Sequence, residues 1–138
     1  MNLNQLKQLI EDLRRPLSER RTLMYEVFSK KTPGKLSELL EKMEKTWNTV
    51  TEETMLRTVS EELIAILATA GSKKSVMVHD SVENLIRIRQ ALKNINNHAN
   101  SGAFRDNGEL ARRTSGLISW LSRDIEYLEG WYQNMYMG

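Results

Sequence analysis

Only two imidazoles, His79 and His98, occur in the chain, and it contains no cysteine. Any metal capture or acid–base chemistry must therefore come from these two, from carboxylates and from hydroxyls. His79, Asp80 and Glu83 fall within about one helical turn, as a thin ligand patch or as an ordinary surface ion-pair cluster. There is no HExxH and no Glu-x-x-His pair, so zincin-type and di-iron carboxylate sites are not expected. Gly71-Ser72-Lys73-Lys74-Ser75 resembles the end of a phosphate-binding loop. It lacks the first glycine of G-x-x-x-x-G-K-[ST] and follows no strand, so it reads as an interhelical turn. G-x-S-x-G and G-x-G-x-x-G are absent, and Thr114-Ser115-Gly116 falls in a helical pattern, where a nucleophile elbow cannot form.

Paired carboxylates give one further test. Glu38-x-x-Glu41 and Glu41-x-x-Glu44 fit the first half of the magnesium site of helical nucleotide pyrophosphatases. The second half fails: Glu61-Glu62 leads to no aspartate at the needed spacing, and Asp80 precedes Glu83 in reverse order. The Arg-x(4–6)-His spacing of helical endoribonucleases also misses, because eight residues separate Arg89 from His98. His98 beside Asn96, Asn97 and Asn100 remains the one cluster that could do acid–base or phosphate chemistry. Its plainer reading is a polar loop whose Asn side chains satisfy turn backbone. The sequence thus predicts a protein that is not an enzyme and has no metal or cofactor.

The elements that would position these residues read as helices throughout. Leu3, Leu6, Ile10, Leu13 and Leu17 recur every three or four residues, and Met24 and Val27 continue the frame, with Arg20 as the polar intruder. Pro16 predicts either a helix end near Arg15 with a restart at the proline, or one kinked helix. Lys31-Thr32-Pro33-Gly34 reads as a turn. Leu36, Leu39, Leu40, Met43, Trp47 and Val50 then form one apolar stripe opposite a charged face. Thr49 and Thr51 followed by Glu52 and Glu53 suggest a helix restart, with acids placed at the positive end of the dipole. Met55 to Leu67 carries that helix to about Ala70, with Gly71-Ser72 as its stop.

Val78 to Ile95 marks a helix beginning near Ser75. The stretch 94–108, with five Asn, two Gly and a Ser, then reads as one long loop. Asp106 and Glu109 have capping-box-like spacing. Leu110, Leu117, Leu121, Leu128 and Met135 mark a final helix of roughly seven turns. Nothing alternates with a period of two. The expected fold is all-α: a single domain over 1–138, a bundle of four or five helices with one Asn/Gly-rich loop before the last.

With catalysis set aside, surfaces remain. Five of the nine aromatics sit on the last helix: Trp120, Tyr127, Trp131, Tyr132 and Tyr136, joined by Met135. The apolar arc there is wider than one stripe, so either two other elements cover it or part of it awaits a partner. Gly116 and Gly130 inside this helix suggest close backbone approach by another helix. The expected role is a non-enzymatic interaction module, an adaptor, inhibitor or assembly subunit, docking through these aromatics to a protein partner or a second copy. The stretch from Leu3 to Val27 is a second candidate face. The alternative is a nucleic-acid-binding accessory protein using Arg87, Arg89, Lys93, Arg105, Arg112 and Arg113 as phosphate contacts.

Net charge is only +2 over 138 residues, too little to favour nucleic acid by itself. Its distribution is uneven: +4 over 1–35, −4 over 36–72 and +2 over 73–138. Such blocks fit solvated helix faces, or oppositely charged surfaces that steer association. No run approaches the roughly 18 apolar residues of a bilayer span, and the first residues lack a secretory pattern. A cytoplasmic protein without membrane contact is the expectation.

Overall fold

The computed structural model describes residues 2–19, 28, 31–68, 82–102, 104 and 108–137, with side chains among them up to Gly130. Among these residues there are five helices and no strand: α1 (Leu3–Ser18), α2 (Thr32–Thr46), α3 (Glu52–Ala68), α4 (Val82–Asn100) and α5 (Glu109–Met137). The expected all-α bundle is observed. Met24, Val27, Arg20, Val78 and the Gly71-Ser72 stop lie outside the described residues, as do His79, Asp80 and Asp106.

Each helix buries one apolar stripe, and α1 and α3 are also capped by side chains at their starts. Asn2 caps α1: its Oδ1 accepts from the Gln5 N–H at 2.8 Å, while Gln5 Oε1 accepts from the Asn2 N–H at 2.9 Å. This is a reciprocal capping box, which removes two of the orphan donors at a helix start. The Leu3 N–H goes further afield, to Glu52 Oε1 of α3 at 3.2 Å, tying the starts of α1 and α3 together. Thr51 caps α3 by accepting from the Thr54 N–H at 3.2 Å, as the Thr-Glu-Glu sequence suggests.

Of the two alternatives at Pro16 the single helix is observed, and two other local expectations are corrected. α1 runs through Pro16 without a break, because the proline sits only two residues before the last helical residue, Ser18. One backbone bond is lost there, and burial of Pro16 and Leu17 retains the turn. The Lys31–Gly34 segment is no separate turn, since Thr32, Pro33 and Gly34 form the first turn of α2, where proline's missing N–H costs nothing. At the other end α2 stops at Thr46, so Val50 falls off the stripe and is 44% exposed.

The largest difference concerns residues 94–100, expected as loop and found as the last two turns of α4. Ile95 and Ala99 are buried on the helix's inner side, and Asn94, Asn96 and Asn100 each find a partner. Packing and side-chain bonds thus override the poor helix propensity of Asn. The helix stops at Gly102, with φ +80°, whose N–H donates to the Ala99 carbonyl at 3.2 Å. Gly108, with φ +82°, opens α5, its carbonyl accepting from the Arg112 N–H.

The helices close into a ring in the order α1–α4–α5–α3–α2, with α1 also touching α3 across the middle. Leu6, Ile10 and Leu13 of α1, Met43 of α2, Leu63 of α3, Leu92 of α4 and Leu121 of α5 are all fully buried in one shared core. Phe28 and Phe104, outside the helices, are buried with them. Ion pairs Lys7–Glu44, Lys42–Glu62 and Arg87–Glu19 stitch neighbouring helices on the outside. Exposed pairs of this kind contribute little stability and mainly fix register.

Candidate protein-docking surface

α5 has 29 residues, about 43 Å, the longest helix of the bundle. It lies antiparallel to α4: Arg89 reaches Ser122 Oγ at 3.4 Å, and Asn96 reaches Ser115 Oγ at 2.9 Å. By that register Val82, the first described residue of α4, lies near Glu129, and α5 runs on for two further turns.

The α4–α5 seam is locked near Gly108. Asn96 Nδ2 donates into a cluster of three acceptors, the Ala111 carbonyl at 2.8 Å, Thr114 Oγ1 at 3.0 Å and Ser115 Oγ at 2.9 Å. Asn96 Oδ1 accepts from Asn100 Nδ2 at 2.9 Å. Thr114 is fully buried on the core stripe, and its hydroxyl lies 2.7 Å from the Leu110 carbonyl. A buried hydroxyl bonded in this way costs little, so a polar residue is tolerated where the pattern calls for a leucine.

The predicted docking residues separate. Trp120 is half-buried and packs against the core, so it belongs at least partly to the fold. Tyr127 is 73% exposed, while Ile125 and Leu128 beside it are buried. Trp131, Tyr132, Met135 and Tyr136 continue the helix, but their side chains lie outside the described residues. Gly116 and Gly130 mark no close approach among the described residues: a methyl group on either would meet no atom of these within 4 Å.

The basic residues are dispersed and partly neutralised. Arg87 faces α1, donating to Glu19 Oε2 and Asn84 Oδ1, each at 3.1 Å. Arg89 points to α5, Lys93 is exposed, and Arg105 lies outside the described residues. Arg112 and Arg113 both pair with Glu109. The hydrogen bond from Arg112 holds the Glu109 carboxyl below the usual glutamate range; desolvation opposes it, and the charges of Arg112 and Arg113 each add a smaller downward pull. Arg112 in turn holds its proton more firmly than usual, through the same bond. His98 sits half-buried inside α4 rather than in a loop, its carbonyl accepting from Ser101 Oγ at 2.8 Å. Among the described residues no group of three His, Asp or Glu is placed to hold a metal. Nor is any described helix long and apolar enough to cross a membrane.

One feature escaped the sequence reading altogether. A groove of about 220 Å3 runs between α1 and α4, lined by Asp12, Arg15 and Pro16 on one side and by Arg87, Gln90 and Asn94 on the other. Its members come from two helices far apart in the chain, so no spacing rule could have joined them. No protein-family model matches this chain, nor does any curated protein or solved structure. Geometry therefore carries the functional reading.

Proposed function

We propose that this protein is a non-enzymatic helical docking module, an adaptor, inhibitor or assembly subunit that binds a protein partner or a second copy of itself through the far half of α5. The observation carrying this reading is Tyr127, 73% exposed on a helix whose adjoining stripe is buried. Helical spacing places position 131 one turn beyond it and position 120 two turns before it, so three aromatic positions share one side of the helix. Large aromatics are the residues that most often supply binding energy when an interface closes over them. Docking would bury this side against a groove or another helix, with the charged segments setting orientation.

The test is sedimentation velocity over a range of concentrations, with helicity followed in parallel. Wild-type chain associates, whereas Tyr127→Ala, and separately the Trp131→Ala/Tyr136→Ala pair, keeps its helicity and sediments at lower mass. A wild-type chain that stays monomeric, and binds no partner that Tyr127→Ala fails to bind, removes the reading.

The nucleic-acid alternative rests on the same six basic residues and has less support, because Arg87, Arg112 and Arg113 already share their charge with carboxylates. It predicts retention on nucleic acid at low salt, with a salt dependence that flattens in Arg112→Ala/Arg113→Ala.

A further inference from the structure

We propose that the protein partner docking on the far half of α5 presents an arginine, and that Asp124 binds its guanidinium between the aromatic positions 120 and 127. This inference rests on the docking reading of α5 and names the chemistry of the occupant.

Asp124 lies one turn after Trp120 and one turn before Tyr127, so the three share one side of the helix. It is half-buried, and its Oδ2 is enclosed without a hydrogen-bond donor. A carboxylate oxygen shut away in this state is costly, and a cation placed on the carboxylate offsets the cost. The other oxygen, Oδ1, is not enclosed, so a cation arriving from outside can reach it. Among the described residues none supplies that cation. Arg123 is exposed, but successive helical positions point about 100° apart, and it makes no ion pair there. Arg113, about three turns back on the same side, is tied with Arg112 to Glu109.

The rings select among cations. Tyr127 is 73% exposed and Trp120 is half-buried, and on a helix each Cβ stands about 5–6 Å from that of Asp124. A guanidinium gives paired N–H bonds to a carboxylate while its flat face lies against a ring, which the point charge of a lysine does less well. The surrounding charge favours a basic segment. From Trp120 to Gly130 one arginine, Arg123, stands against Asp124, Glu126 and Glu129, a net charge of −2. Glu126 and Glu129 are exposed and make no ion pair among the described residues. Such a field draws a positive partner in and turns an acidic peptide or a nucleic-acid strand away.

The experiment is fluorescence anisotropy on the full chain with a labelled octapeptide of alternating Arg and Ser, and with analogues carrying citrulline or lysine in place of arginine. The arginine peptide binds, the lysine peptide binds more weakly, and the uncharged citrulline peptide binds about tenfold more weakly or not at all. Asp124→Asn and Tyr127→Ala each weaken the arginine peptide about tenfold. Glu126→Gln removes the same charge from the opposite side of the helix and changes binding by less than about twofold. Amide shifts in a 1H–15N spectrum gather at 120–127, and unchanged helicity and melting of Asp124→Asn show that the fold persists. Absence of arginine-peptide binding up to about 1 mM overturns the proposal. So do lysine or citrulline peptides that bind as tightly, equal losses in Glu126→Gln and Asp124→Asn, and self-association that Asp124→Asn abolishes. If Tyr127→Ala impairs association while Asp124→Asn leaves association and peptide binding intact, the docking reading stands and the arginine site falls.

Discussion

Asn96 and Thr114 are joined side chain to side chain across the α4–α5 seam, amide nitrogen to hydroxyl oxygen at 3.0 Å, with Thr114 fully buried. Because the same amide reaches the Ala111 carbonyl and Ser115 Oγ, it acts as a clamp on the first two turns of α5.

Removing that clamp should therefore cost more than one ordinary surface bond. Asn96→Ala is expected to destabilise the protein by about 1–3 kcal/mol, since partly buried acceptors lose their donor. Thr114→Val should lose less in the Asn96→Ala background than alone, and a double-mutant cycle in urea measures that coupling. Additive effects would show that the two residues act independently.

Gly116 gives a prediction of opposite sign. It lies in mid-helix with open space where a side chain would stand. Gly116→Ala should raise stability by about 1 kcal/mol through helix propensity alone, read as a higher urea midpoint at unchanged slope. A loss of stability would mean that something packs against this position.

At Gly102 the backbone itself decides. With φ at +80°, a side chain is strained even though there is room for one. Gly102→Ala should cost about 1–2 kcal/mol, whereas Gly102→Asn should recover part of it. Thermal melting of the two variants separates strain from crowding.

Glu109 makes stability depend on acid. Its folded-state pKa lies below its unfolded value, chiefly through the hydrogen bond from Arg112. Its contribution is therefore present above the unfolded value and is lost as pH falls through the folded one. Glu109→Gln should flatten this part of the acid limb of the stability curve, and Arg112→Gln should move the Glu109 carboxyl titration upward in a 13C-detected experiment. An unmoved titration would show that the pair is too well solvated to couple.

The stripes that build the ring were legible because a leucine or methionine every three or four residues has only one explanation in a soluble helix. Leu3 to Leu17, Leu36 to Met43 and Leu85 to Ile95 are all buried as that spacing requires. The end of α4 was not legible, since five asparagines argue for a loop until Asn96 is seen to have acceptors waiting on α5. Phe104 was invisible for the opposite reason: a single aromatic in an aperiodic stretch carries no period, yet it plugs the core at 6% exposure. On the surface, type and exposure could be anticipated for Tyr127, but pairing could not. Which arginines are tied to Glu19 and Glu109 follows from how helices meet. The groove beside Pro16 depends on the same meeting of α1 with α4.

That meeting also bears on how the chain is made. α1 is closed on one side by α4, which begins only at Val82, and α3 by α5, which begins at Glu109. During synthesis the first three helices leave the ribosome with greasy flanks still open, for on the order of ten seconds. Those flanks are covered only when the later helices arrive, so slow codons or heat during synthesis should lower the yield before they harm the finished molecule.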